Sequence, residues 1–463
     1  MSATVLDKDI TLSRYRSGSV RESLALFFPL MLSLFSGSLM SFCDRLFLSH
    51  FSLGALESVV AAGYFCTFFQ FPLTRIVGMA QVSIGKSFGA GDKSMAGPYA
   101  WQMVWLSLFS IVLTFPVGIK LIPFLFKAEA IAEEGSAYFK VMMAGNFLFP
   151  LAAAFSSYFI GLGKTRVVAV ASFGAQVMNI GLNYLLIFGM FPGLPPLGAK
   201  GAALGTVIAQ GTLVLALFGI FLREESGFRT REFWIRWPLF KELFFVGLPR
   251  AFSRALSMAG WNLSVLLVSG LHGDYLLVLS VGSSIWLVYF PIMQAVEQVI
   301  SSQVAFYHGK KAFGTIWRSF FSCFWVIFGF FCLFGALLLF FFDPFLSFFI
   351  PSDLSSESLH FIKLAMLWLW IFFLFEGVNY VSGGVSRGLG LTWFNLVVGI
   401  IISFPVNFFP FYLAFQVWHL DPDKVWMAPW SGMIVGSSFM LIRAYCVIRK
   451  LKRDGEKKTL LFA

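Results

Sequence analysis

Charge is what this chain has least of. Only 12% of its 463 residues are Asp, Glu, Lys or Arg, 58% are hydrophobic, and the mean hydropathy is +0.81. A soluble domain carries about 25% charged residues, so no aqueous surface can be furnished from this stock. Cysteine and histidine are scarce as well, five of each. The cysteines (Cys43, Cys66, Cys323, Cys332, Cys446) are scattered with no CxxC pair, and the histidines form no HExxH or other cluster. A metal enzyme therefore has no ligand pattern to stand on. No DDxxD-like carboxylate cluster occurs, so a magnesium-dependent polyprenyl transferase lacks its signature. The segment Met1–Arg21 is polar and has no short apolar core or cleavage site of a signal peptide. The first apolar segment is expected to act as its own uncleaved insertion signal.

Long apolar runs are what the chain does have. Leu24–Leu48, Trp317–Phe342 and Leu364–Tyr380 are nearly free of charge, and about 20 apolar residues suffice for a helix to cross the hydrocarbon core. A β-barrel would show alternation in segments of about ten residues instead. Twelve helical spans are expected, at 23–50, 57–86, 97–122, 136–160, 166–190, 200–222, 244–270, 275–307, 317–349, 359–386, 393–416 and 426–448. Turn residues mark the joints: Gly89-Ala90-Gly91-Asp92, Gly161-Leu162-Gly163-Lys164, Pro192-Gly193-Leu194-Pro195-Pro196 and Pro351-Ser352-Asp353. With the N-terminus inside, 23 Lys and Arg fall on inner segments and 4 on outer ones. The positive-inside bias then puts both termini in the cytoplasm. The net charge of +11 is explained by a basic rim facing anionic headgroups; the bilayer is the expected partner, and nucleic acid is not needed.

The chain repeats itself at a separation near 220. Pro29 pairs with Pro249 at 220, Phe71-Pro72 with Phe290-Pro291 at 219, Gly91 with Gly309 at 218, and Gly161-Leu162-Gly163 with Gly388-Leu389-Gly390 at 227. Six spans per half is an even number, so both halves insert the same way up. The expected fold is an all-α integral membrane protein of two six-helix lobes related by a pseudo-two-fold along the membrane normal. Its divisions are a cytoplasmic segment 1–22, lobes 23–222 and 244–448, a charged linker 223–243 as the natural hinge, and a basic tail 449–463. Two such lobes around a cavity can provide alternating access.

Several pieces occur in order along nearly the whole chain. They are Pro29 with Asp44-Arg45-Leu46-Phe47, Ser87-Phe88-Gly89-Ala90-Gly91-Asp92, and Gly161-Leu162-Gly163-Lys164-Thr165-Arg166. Further along come Asn179-Ile180-Gly181-Leu182-Asn183-Tyr184, Leu197-Gly198-Ala199-Lys200-Gly201-Ala202 and Val246-Gly247-Leu248-Pro249. With these the chain resembles the multidrug and toxic compound extrusion (MATE) family, in particular its NorM-like branch. The resemblance implies an antiporter, not an enzyme, that exports small organic molecules in exchange for H+ or Na+, with no other cofactor. It also implies a multi-pass inner-membrane location and fits a monomer. A flippase for lipid-linked saccharides or peptidoglycan precursors, from the same superfamily, is the alternative.

Carried over residue by residue, the resemblance puts the family's first-helix acid on Asp44, its fifth-helix polar pair on Asn179 and Asn183, and its sixth-helix hydroxyl on Thr206. Its tenth-helix acid falls on Glu376. Ser257 and Phe372 stand where the NorM-like pattern has a glutamate and a tyrosine, which weakens a cation site in the second lobe. Geometry supports the first group independently. Asn179 and Asn183 are four apart and share a helix face. Asp44, Asn183 and Thr206 lie 6 to 9 residues from the outer ends of their spans, a common depth of roughly 9–14 Å. Glu376, Glu297, Arg254 and Arg75 fall near mid-depth, with Arg250 closer to the cytoplasmic end. Charges there cost about 2.5–3.5 kcal/mol even on lenient scales. They either line a substrate cavity or pair with one another, Arg254 with Glu376 or Glu297 first. Because these acids and arginines balance, the interior is not plainly acidic, and zwitterionic or anionic metabolites stay open as substrates beside the organic cations.

Overall fold

The computed structural model describes residues 11–125, 129–190, 193, 195–271, 273–342, 344, 354–400 and 404–460. Every regular element among them is helical. In chain order these are α1 (Val20–Phe51), α2 (Leu53–Val77), α3 (Ala80–Gly89), α4 (Ala96–Leu125), α5 (Glu129–Ala144), α6 (Leu148–Gly161), α7 (Thr165–Ile187) and α8 (Gly198–Leu222). They continue as α9 (Trp237–Ser269), α10 (Tyr275–Gly309), α11 (Phe313–Phe340), α12 (Ser356–Gly388), α13 (Thr392–Val398), α14 (Phe404–Tyr412) and α15 (Trp430–Leu460).

Among the described residues ten spans, with α2 and α3 counted as one, are long and apolar enough to cross a bilayer, and α5 with α6, bent by 40°, make an eleventh when the pair is taken as one span. The bend falls at Gly145, where a Cβ would meet Val207 Cγ2 at 2.5 Å, so the close approach of α8 requires glycine. Within the segment expected at 393–416 the described residues are α13, a π turn at 399–400, α14 and a second π turn at Leu413–Val417, and residues 401–403 lie outside the described ones. Pro410 lies inside α14 and has no N–H to give the helix ladder. The expected joint Pro351-Ser352-Asp353 lies outside the described residues, as do Pro192 and Leu194 of the earlier turn.

The chain divides into two compact units, one holding Phe28–Ala251 and the other Ser13–Phe27 with Phe252–Ala463. The division differs from the sequence reading at both ends of the first lobe. Residues 13–27 belong with the second unit because Glu22, fully buried, is committed there. Its carboxylate accepts from Gly18 N at 2.7 Å, from the Tyr307 hydroxyl at 2.7 and 2.8 Å, and from Gln303 Nε2 at 3.0 Å. The expected hinge 223–243 is instead tied to the first unit. Trp101 and Trp105 donate to the carbonyls of Thr230 and Phe233 at 2.7 Å, and Gln102 accepts from Arg236 N at 2.9 Å.

Four turns share one geometry. After α3, α6, α10 and α12 a residue sits in the left-handed region: Gly91 (φ 87), Gly163 (φ 76), Lys311 (φ 58) and Gly390 (φ 78). The next N–H reaches back five residues in each case, from Asp92 to Ser87, Lys164 to Phe159, Ala312 to Tyr307 and Leu391 to Ser386. This is the Schellman closure of a helix C-terminus. It corrects the repeat register, since the counterpart of Gly91 is Lys311, 220 residues on, rather than Gly309.

Candidate functional site

In the first unit α7 packs along α8, where Gly201 and Gly205 let the backbones approach. A Cβ on Gly205 would lie 2.0 Å from Asn183 Oδ1. This contact aims Asn183 at α1. Its Nδ2 donates to Asp44 Oδ1 in a short bond and to Asn179 Oδ1 at 3.2 Å, while Asn179 Nδ2 donates to Thr206 Oγ1 at 3.4 Å. Asn179 and Asn183 are fully buried, Thr206 nearly so. The four residues singled out from the sequence thus form one cluster on three helices.

Two features give the cluster chemistry beyond interhelical bonding. Asn183 Oδ1 is buried without a hydrogen-bond partner, and such an orphan acceptor is costly unless something occupies it. Asp44 and Thr206 also line a cavity of about 210 Å³, together with Tyr64, Cys66, Thr67, Gln70, Tyr138 and Met142. One carboxylate with amide and hydroxyl oxygens suits Na+ or a titrating proton. The cavity wall gives apolar and polar contacts to an organic molecule. Gly205→Ala should displace Asn183 and abolish the cluster while costing about 1–3 kcal/mol for overpacking. Wild-type transport by this variant, measured on folded protein, would contradict the arrangement.

The second unit disposes its charges differently from the pairing expected. Glu376, 3% exposed, accepts from Trp286 Nε1 on both oxygens, at 3.0 and 2.9 Å. Arg254 acts on it by charge, with its guanidinium 5.4 Å over the Phe290 ring, which itself lies tilted against Trp286 at 4.6 Å. Glu297 does not pair with Arg254; it forms an ion pair with Arg387. Arg75, in the first unit, lies over the Phe71 ring at 4.5 Å, and Arg250 approaches Met79 Sδ at 3.8 Å. Ser257 Oγ bonds within its own helix to Ser253 O, and Phe372 is buried against Trp426. Trp286→Phe removes the donor of a buried carboxylate and should cost about 1–3 kcal/mol, recovered in part by Glu376→Gln. Thermal melts of the two singles and the double measure it, and additivity would show that the pair is not coupled.

Sequence reasoning missed Trp286, Glu22 and the Glu297–Arg387 pair. Among them Glu297 and Arg387 carried a signal, each as a charge on an apolar helix, but not as partners of one another.

Ten or more membrane-length helices, two compact units and a buried polar cluster opening on a cavity define a multi-pass membrane transporter. The chain belongs to the MatE family, whose model matches residues 29–185 and 249–413. It is similar to a protein of Thermotoga maritima named "Probable multidrug resistance protein NorM", 25% identical over 415 residues and 87% of each chain. A protein of the same name from Photorhabdus laumondii is 23% identical over 447 residues, 94% of this chain and 96% of that one. The fold matches an outward-facing multidrug resistance MATE family transporter with TM-score 0.82 at 19% identity, over 98% of this chain and 100% of the other. It matches a MOP superfamily transporter from Pyrococcus furiosus, described by a "reverse polarity of binding pocket", with TM-score 0.81 at 16% identity over 98% and 99%.

Proposed function

We propose that the chain is a secondary active antiporter that exports small organic molecules, cationic or zwitterionic, in exchange for H+ or Na+ by alternating access. It acts as a transporter and not as an enzyme, as a monomer in the plasma (inner) membrane with both termini cytoplasmic. The observation that carries this reading is the double position of Asp44. Its carboxylate belongs to the Asn183–Asn179–Thr206 cluster and to the cavity wall at once, so cation and substrate compete for one group. Competition of this kind is how a secondary transporter couples two fluxes. The names of the relatives support drug-like cargo, and the Lys and Arg bias supports the orientation. Arg254 beside Glu376 supports substrates that carry both signs of charge.

The test is transport in proteoliposomes, with pH and sodium gradients imposed in turn, against a panel of organic cations and zwitterions. At least one class should accumulate under one gradient. Failure of every class under both gradients, with translocation of a lipid-linked saccharide instead, would move the assignment to the flippases.

A further inference from the structure

Two side-chain hydrogen bonds tie α1 to α7 within the first unit. Ser33 Oγ donates to Ser172 Oγ at 2.9 Å and Asn183 Nδ2 donates to Asp44 Oδ1, and both bonds span 139 positions. The two helices therefore run parallel and in register, and residue 37 stands opposite residue 176. On each helix the two bonds lie 11 residues apart, about three turns and 16 Å, so they belong to one face. On α7 that face reads Ser172, Gln176, Asn179 and Asn183, all buried. On α1 it carries Ser33, Gly37 and Asp44. The inward face of an apolar span is thus polar for three turns, with no charged residue between the two bonds on either helix.

Gln176 is 7% exposed, and its Oε1 is buried without a hydrogen-bond partner among the described residues. Opposite it, a Cβ added to Gly37 would meet no described atom within 4 Å. An orphan acceptor and a gap the size of a water molecule thus fall at the same level of the seam. A carbonyl oxygen calls for a donor or a positive charge, and roughly two to four polar groups hold a buried water. Ser33 and Ser172 lie one turn to one side of this level and Asn179 one turn to the other.

We infer that, on the antiport reading and orientation proposed above, the gap between Gly37 and Gln176 is a second station for the coupling cation. It takes a monovalent cation with water, hydronium or Na+, as it passes between Asp44 and the cytoplasmic end of the seam. Both ions are met by the same neutral oxygen groups. Ser172 lies 7 residues, about 10 Å, inside the start of α7 at Thr165, so the Ser33–Ser172 bond stands between the station and that end.

The experiment compares Gly37→Leu, which fills the gap, and Gln176→Leu, which removes its acceptor, with Gly174→Leu on an exposed face of α7 as control. Asp44 and its three partners stay in place, so equilibrium substrate binding and its competition by the cation should remain as in wild type. Gradient-driven flux in proteoliposomes should fall about tenfold or more in both variants, the effect of about 1.4 kcal/mol on the barrier. The loss appears under a pH gradient if the cation is a proton and under a sodium gradient if it is Na+. A dry packing gap would behave otherwise: Gly37→Leu would melt at a higher temperature and transport at the wild-type rate, which would overturn the station. A change in substrate affinity would assign the gap to the cargo and overturn it as well. Water in the gap is read without transport, by methanethiosulfonate labelling resolved by peptide mass spectrometry from the five native cysteines. Gly37→Cys should react about tenfold or more faster than Gly174→Cys, because the reactive thiolate forms only where water reaches it. An unreactive Gly37→Cys in protein that transports would overturn the station alone. A reactive one in protein that carries no cargo under either gradient would overturn the antiport reading, and the cation's use of the gap with it.

Discussion

Asp44→Asn, in protein shown to be folded, is expected to abolish gradient-driven transport while substrate still binds. The substitution keeps the shape of the side chain and removes its charge. Asn183 can still bond to it, so the α1–α7 contact survives. What disappears is the exchangeable negative charge on the cavity wall. Linked sites of this kind typically change one another's affinity by roughly 5–150-fold, and the effect is reciprocal. In wild type the coupling cation should therefore weaken substrate binding, and substrate should weaken cation binding by the same factor. In Asp44→Asn both factors should collapse to one. Equilibrium binding with and without the cation reads the first, and proteoliposome flux reads the consequence. Undiminished coupled transport by the variant would rule out the site.

The legibility of this site in the sequence has a simple physical cause. Asn179 and Asn183 sit four residues apart, so helical geometry alone places them on one face, and polar groups inside an apolar span have few places to go. The helices themselves were legible for the same reason, since length and apolarity determine a span almost without tertiary context. The second unit was harder because its partnerships depend on helix stagger. Reading Glu297 and Glu376 at equal depth assumes that α10 and α12 end level, and they do not. Gly384 and Gly388 of α12 lie against the carbonyls of Glu297 and Ser301, where Cβ atoms would sit 2.9 and 2.7 Å away. α10 thus runs 12 residues past Glu297 to Gly309, about 18 Å, while α12 stops beside it. The stagger brings Arg387 to Glu297 and leaves Glu376 for Trp286. Nothing in spacing or composition announces an indole N–H as the partner of a buried acid.

The Glu297–Arg387 pair should be the most sensitive charged contact in the second unit. Arg387 is 4% exposed and the Glu297 side chain 18%, so either charge left alone has little water to turn to. Removing one partner of a buried pair costs about 3–5 kcal/mol, most of it the uncompensated charge. Arg387→Met and Glu297→Gln should each lower thermal stability by that order in detergent. The double substitution should cost much less than their sum, because replacing both ends removes the desolvated charges together with the attraction. A coupling energy of about 0.5–3 kcal/mol or more is expected from the cycle. The pair lies where Gly384 and Gly388 bring α12 onto α10, so the double variant should retain the helix contact and with it transport. If the two singles add strictly, the charges do not interact. If the double is stable but inactive, Glu297 has a role in transport beyond pairing.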